Sequence, residues 1–314
     1  MKKELGTFIL LVVLCGVVAA LNPRFLSPEN LQNTARLIGI YGIFSIGLGI
    51  VIITGGIDLS VGSVFALLGV LLSIFLTELG WSPLLAVAVI IAAGVGLGAL
   101  NGLLITRVGL QPFIVTLCGL LFYRGLARFI SDDETKGFGS GEGFLWLRDL
   151  AAGNLLGVPL PFVLLLVVAA VMWVVLHRSI YGRHLYAVGR NELAARYSGI
   201  NSRRVVGSAY VIAGLLAGIS AIIFAFYTNS ISPSTHGVSY ELYGIAAAVL
   251  GGCSLRGGEG SIIGILIGTA LLQVLQNLVN LLGIPSSLNF AVMGAVILAG
   301  VIADQVFQRR AGRV

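Results

Sequence analysis

RSIYGRHLYAVGRNELAARYSGINSRR, residues 178–204, carries six arginines (Arg178, Arg183, Arg190, Arg196, Arg203 and Arg204) against one acid, Glu192. It lies between PFVLLLVVAAVMWVVL (161–176) and VVGSAYVIAGLLAGISAIIFAFY (205–227), two apolar runs without a charge. A basic segment between two such runs is what the positive-inside bias predicts for a loop on the cytoplasmic face of a membrane.

Composition makes the same demand of the whole chain. Hydrophobic residues are 57% of the 314, charged residues only 10%, and the mean hydropathy is +1.02. A soluble chain carries about 25% charged residues, and nothing here supplies such a surface. The expected fold class is therefore all-α: a polytopic transmembrane helical bundle. Each span needs roughly 20 apolar residues, which leaves room for about ten with short connections. No long polar stretch exists for an attached ATP-binding, sensor or catalytic domain, so residues 1–314 read as one transmembrane domain. The 43 glycines suit close helix approach and helices that end inside the protein. The net charge of +6 reads as topology-setting arginines, with no nucleic-acid partner. Cys15, Cys118 and Cys253 are too widely spaced for a disulfide framework or a metal site.

In order, the expected spans are 5–21, 35–53, about 61–77, 84–104, 111–130, 160–177, 205–227, a short one at 240–252, 261–282 and 288–306. The segment 22–33 reads as an outer connection, 105–110 as a short inner link, and 253–260 as an inner turn. The acid-rich segment 131–159 reads as outer, with one short interfacial helix. This topology places thirteen lysines and arginines inside and six outside, with both termini cytoplasmic. GGIDLSVGSVFALLG (55–69) and GGCSLRGGEGSIIG (251–264) echo one another faintly, either by chance or by duplication.

Among single residues, Asp58 is the sharpest, because a carboxylate between apolar spans is costly unless hydrogen-bonded or wet. It follows Gly55-Gly56 and precedes Ser60, Gly62 and Ser63, so it caps a helix start, meets a partner or lines a path. Asn101, Gln111, Thr116, Asn277, Asn280 and Asn289 are uncharged polar groups that suit a neutral polyhydroxyl solute or ordinary interhelical bonding. Phe113, Phe122, Tyr227 and Phe290 offer a stacking face for a sugar or pack as aromatics do. Glu241 reads as a surface or cap residue and His236 as exposed. No HExxH, GxSxG, CxxC or Walker pattern occurs, so no catalytic residue is assigned and the chain is not read as an enzyme. Within the basic loop, Asn191 is a good N-cap and Gly199 a good C-cap for a short helix over Glu192, Leu193, Ala194, Ala195 and Arg196, the alternative being a plain charged loop.

GGIDLSVG (55–62), ALNG and QPFIVTL (99–117), YGRHLYAVGRNELAARYSGI (181–200), YELYGIAAAVLGGCSLRGGEGSIIG (240–264) and LLQVLQNLVNLLGI (271–284) together resemble the permease subunits of bacterial ribose/galactose/xylose-type ABC importers. The likeness runs over essentially the whole length. It implies a vitamin B12-importer-like (type II ABC importer) architecture in the bacterial inner membrane, with two permeases pairing as a homodimer or heterodimer. It also implies a periplasmic binding protein docked outside and an ATPase inside, so that ATP and magnesium belong to the partner and this chain holds no cofactor. The family's coupling segment falls on Gly182, Gly189, Asn191, Ala194, Ala195, Arg196, Gly199 and Ile200. Phe113, Ile114 and Thr116, with Asp58 and Asn101, would border the translocation pathway.

The function this implies is ATP-driven import of a monosaccharide, ribose-like or a related simple sugar. The sequence departs from the family pattern at Cys118-Gly119, at ISPSTHG (231–237) and at Arg190, which leaves the solute open. An autoinducer, polyol or nucleoside stays within the same class. The rival class is an ion-coupled secondary transporter of a small neutral solute, for which Asp58 is the available carboxylate.

Overall fold

The computed structural model describes residues 2–139 and 143–285, with isolated positions between 288 and 298. The expected tenth span, together with Asn289 and Phe290, lies outside the described residues. The chain is an all-α polytopic membrane bundle, and eight of its described helices are long and apolar enough to cross a bilayer. They are α1 (Lys2–Leu21), α2 (Pro28–Ile53), α3 (Val61–Ser73, continued to Glu78), α4 (Pro83–Leu103, continued to Val108), α5 (Pro112–Ile130), α7 (Leu160–Trp173, continued to Arg178), α10 (Ser202–Thr228) and α12 (Ile262–Leu281). Shorter helices are α6 (Leu145–Ala152), α8 (Ile180–Arg190), α9 (Glu192–Tyr197) and α11 (Tyr240–Leu250). Nine of the ten expected spans lie among the described residues, eight of them long and one short. The eighth expected span is α11, whose 11 residues rise only about 16 Å, half a bilayer.

Other boundaries move for local reasons. The connection predicted at 22–33 is shorter, because the Ser27 hydroxyl accepts from the Asn30 amide and Pro28 opens α2 five residues after Pro23. The link predicted at 105–110 is helical through Val108. Three helices end in a π-helical turn: α3 at Ile74–Glu78, α4 at Leu104–Val108 and α7 at Val174–Arg178. Such turns widen a helix end without breaking it.

The core is built on α2 and α10. Phe44, Phe65, Tyr210 and Phe226 are fully buried there, and small residues let neighbours approach to backbone contact. A Cβ at Gly47 would stand 2.9 Å from the Ala213 Cα, and one at Gly94 would stand 2.7 Å from the Gly214 carbonyl. Gly94, Gly98 and Gly102 repeat every four residues along α4, so this face forms one seam against α10 through Gly207, Gly214 and Gly218. α1 stands outside, packed on α12, and most of its side chains are exposed.

Side-chain contacts sort the connections into two ends. At the arginine-rich end, Glu4 meets Ser261, the His177 ring meets the Ile262 amide, and the Gly258 amide donates to the Ile53 carbonyl at 2.8 Å. The two echoing segments meet here, since a Cβ at Gly257 would lie 2.9 Å from the Gly55 nitrogen. At the opposite end, Lys136 pairs with Glu78 at 3.0 Å, and Lys136–Gly137 forms a short antiparallel ladder with Ser230–Ile231. There, Phe138 stacks on Phe226 at 4.5 Å. The short helix expected within 131–159 is α6.

Beyond Ile231 the chain folds back into the bundle before α11 begins. His236 is therefore buried against Phe224, with centroids 4.8 Å apart, which corrects the exposed reading. Glu241 is likewise buried, in the first turn of α11 over Gly62, which corrects the surface reading.

Candidate functional site

Two polar constellations stand out, one at the arginine-rich end and one in the middle of the bundle. The first begins at Ser179, whose hydroxyl accepts from the Gly182 amide at 3.1 Å and starts α8. Leu185 and Val188 bury one face of α8, while Arg183 and Arg190 stay outside. Gly182 presses on the Leu176 carbonyl. Gly189 presses on the Ile53 carbonyl, and a Cβ there would lie 2.6 Å from the Gly258 nitrogen. Tyr186 donates to the Gly260 carbonyl at 2.7 Å, and burial pushes its phenol up to about 12, so it stays a donor.

A one-residue interruption of the helix follows. Asn191 leaves the helical conformation and caps α9, accepting from the Ala194 amide at 2.9 Å. Gly199 ends α9 with a left-handed φ of +83°, and the Ile200 amide returns to the Ala195 carbonyl at 3.0 Å. Ala195 is buried beneath α9, and Ile200 packs against the core. Ala194 faces out, as do Leu193 and Tyr197, the latter 91% exposed.

Arg196 pairs with Glu192 at 2.6 Å, and its Nε donates to the Ser202 hydroxyl at 2.7 Å. That hydroxyl donates to Glu192 at 2.9 Å. This triangle ties α9 to the first residue of α10. Gly182, Gly189, Asn191, Ala194, Ala195, Arg196, Gly199 and Ile200 thus form one continuous structure.

In the bundle, a directed chain of hydrogen bonds runs from α5 to the start of α3. Tyr123 donates to Asn101 Oδ1 at 3.1 Å, Asn101 Nδ2 to the Ser60 hydroxyl at 3.2 Å, and that hydroxyl to Asp58 at 2.6 Å. The Ser60 amide also donates to Asp58, at 2.9 Å. The Ile57 carbonyl accepts from Tyr210 at 3.0 Å and from Thr116 at 3.4 Å. Asp58, Asn101 and Thr116 are all buried here. Asp58 turns back on the residues that open α3, as a carboxylate near a helix start does.

Phe113 and Ile114 do not join this group. They lie on the other side of α5 and are about half exposed, at 52% and 50%.

The sequence reading set Ser60 beside Asp58 but missed Tyr123 as a member of this group. It also missed Arg124, which bridges the fold-back after Ile231 by donating to the carbonyls of Pro233 (3.0 Å), His236 (2.6 Å) and Gly62 (3.2 Å). The signal for Arg124 was available, because a guanidinium inside an apolar run needs carbonyls or acids. Among the described residues, no group of three or more His, Cys, Asp or Glu stands close enough to hold a metal ion.

Comparison with known proteins gives this architecture its context. The family model described as branched-chain amino acid transport system / permease component matches residues 30–301. The ribose import permease protein RbsC of Bacillus subtilis is 41% identical over 304 residues, covering 96% of this chain and 93% of that one. RbsC of Escherichia coli K12 is 39% identical with the same coverage. The autoinducer 2 import system permease protein LsrD of Klebsiella pneumoniae is 32% identical over 98% of this chain and 92% of its own. No solved structure matches the chain. The family match takes in both the Asp58 chain and the α8–α9 structure, and with eight apolar helices around them the chain belongs to the branched-chain amino acid transport system / permease component family.

Proposed function

We propose that this chain is the membrane-spanning permease of an ATP-driven importer, and that its cargo is a ribose-like monosaccharide handed over by a periplasmic binding protein. The observation that carries the reading is its identity of about two residues in five with the ribose import permeases, sustained over 96% of its length. The chain itself performs no chemistry. An ATPase with its ATP and magnesium docks at the arginine-rich end, which faces the cytoplasm, and 131–159 faces the periplasm. A second permease pairs with the first in a type II, vitamin B12-importer-like arrangement, with Phe113 and Ile114 bordering the path between the two copies.

The α8–α9 structure supplies the mechanical link. α9 offers Leu193 and Tyr197 to the ATPase, and the Glu192–Arg196–Ser202 triangle passes its displacement to α10 without slack. Gly189, seated on the Ile53 carbonyl and the Gly258 amide, passes the same displacement to the ends of α2 and the 251–260 loop. The end of α2 leads into Asp58, and the 251–260 loop joins α11 to α12. ATP binding and hydrolysis would then shift the permease between outward- and inward-open populations. Asp58 acts as a fixed cap in this scheme, since its partners are already supplied by Ser60.

The test is uptake of labelled ribose, allose and autoinducer 2 in proteoliposomes, with the cognate ATPase and binding protein added or omitted. Flux requiring both partners is expected, with ribose preferred. Ala195→Trp should abolish it while leaving the chain folded, because the larger side chain lifts α9 from its seat. Uptake driven by a proton or sodium gradient without either partner would overturn the reading.

A further inference from the structure

At the arginine-rich end, a groove of about 650 Å³ lies between the last turns of α4 and the first turns of α10. Its floor is bare because Gly102 and Gly207 bring the two backbones together there: a Cβ at Gly102 would stand 2.9 Å from the Gly207 carbonyl. Ala99, Leu103 and Val211 give it apolar walls. Three exposed guanidinium groups ring its mouth: Arg107 from the π-helical turn of α4, and Arg203 and Arg204 from the first turn of α10. None of the three makes an ion pair among the described residues. The other cations of the bundle's connections are mostly paired or packed: Arg190 with Glu259, Arg196 with Glu192, Arg178 over Trp173.

We propose that this groove is a binding site for one anionic phospholipid, its acyl chains against Ala99, Leu103 and Val211 and its phosphate between Arg107, Arg203 and Arg204. The two halves of the groove require the two halves of that ligand. Three guanidinium groups beside the N-terminus of a 27-residue helix select a phosphate-bearing head. An apolar channel between two membrane-spanning helices, next to the exposed Leu100 and Leu103, selects acyl chains. A free phosphate or a nucleotide would leave the apolar walls unused, and a neutral lipid would leave the arginines unmatched. The site is independent of the transported solute. Its head-group end lies one residue from Ser202, the member of the triangle that locks α9 to α10.

The test uses the full-length permease in mild detergent, equilibrated with equal amounts of phosphatidylglycerol and phosphatidylcholine of the same chains and examined by native mass spectrometry. Retention of phosphatidylglycerol about tenfold over phosphatidylcholine is expected. Arg107→Gln/Arg203→Gln/Arg204→Gln should reduce it to the phosphatidylcholine level. The equal charge change Arg183→Gln/Arg190→Gln/Arg256→Gln, away from the groove, should leave it in place. Ala99→Phe keeps every arginine but fills the channel, and should also abolish retention. It and Arg107→Gln alone keep the test open if the triple variant does not fold, as judged by thermal unfolding. Equal loss in both triple variants would overturn the site, leaving only diffuse charge attraction. Undiminished retention in Ala99→Phe, with displacement by soluble glycerol phosphate, would overturn it in favour of a free-anion site.

Discussion

The α4–α10 seam and the outward side of α5 are built from similar residues and behave in opposite ways. On α4, Gly94, Gly98 and Gly102 each touch the backbone of α10, so that the helices meet without side chains between them. On α5, Gly125 has open space around it, and Phe113, Ile114, Leu117, Leu121, Phe122 and Phe129 point away from the rest of the chain. Both helices are apolar enough to span a bilayer. In lipid, apolarity does not distinguish a packed face from a free one, because acyl chains are as apolar as leucine. What distinguishes them is whether a glycine is a point of contact or a gap.

The same substitution on the two helices breaks the comparison or sharpens it. Gly98→Leu forces a side chain into the Tyr210 carbonyl, with backbone on both sides and nothing flexible to yield. The cost should lie at or beyond the top of the about 1–3 kcal/mol range for overpacking, with loss of monodisperse protein in detergent. Gly125→Leu should leave yield and melting temperature of the isolated chain nearly unchanged. A Gly98→Leu protein as stable as the parent would remove the seam.

Cysteine labelling reads the same contrast on native residues. Cys118 lies on the exposed side of α5, whereas Cys253 is buried in the loop after α11, and burial pushes its thiol up to about 12. The thiolate is the reactive form, so the Cys253 thiolate fraction is negligible at neutral pH and rises about tenfold per pH unit only while pH remains below that value. Maleimide at pH 7.5 should modify Cys118 at least about 100-fold faster than Cys253, since access and ionisation both oppose the latter. Rapid modification of Cys253 at pH 7.5 would show that the loop opens.

A smaller effect is expected at the polar chain that joins α5 to α3 and α4. Asn101→Leu removes two bonds and strands the Tyr123 hydroxyl, while the Ser60 hydroxyl keeps its bond to Asp58, at an expected cost of about 1–2 kcal/mol in thermal unfolding. Tyr123→Phe leaves the Asn101–Ser60 bond in place and should cost less. The double variant should cost less than the sum, because both changes break the same bond. Strict additivity would mean that the chain is not coupled.

These regions also show what could be read from residue order. Asn191 and Gly199 act within four residues of themselves, so the ends of α9 were legible. Asp58 and Ser60 are two residues apart, and their bond was within reach of the same reasoning. Asn101 and Tyr123 are members of that chain by tertiary position alone, 41 and 63 residues from Ser60, and no local pattern announces them.

α8 was hidden by its four arginine and glycine positions within a stretch read as loop, although Leu185 and Val188 carry a helical spacing. His236 and Glu241 were misplaced because ISPSTHG has a surface turn's composition, while Arg124 draws its carbonyls back into the bundle. The sequence thus conveyed the apolar spans of the described residues and their caps well. It conveyed poorly where the chain re-enters the bundle, since that depends on a distant partner.

The smallest change in stability belongs to the outward side of α5, and it decides what covers that side. Phe122 is 62% exposed in the single chain, so Phe122→Ala should shift unfolding of the isolated permease by about 0.5 kcal/mol or less. If only lipid meets this face, transport by the reconstituted importer should be equally indifferent. If a second copy faces it across the solute path, Phe113→Ala and Phe122→Ala should reduce flux severalfold at unchanged melting temperature, and Cys118 should become protected from maleimide only in the assembled importer. Lipid is replaced by alanine's neighbours at little cost, whereas a partner built to fit phenylalanine is not. A pair of measurements on one helix, stability and flux, therefore separates a face that merely borders the membrane from one that waits for another protein chain.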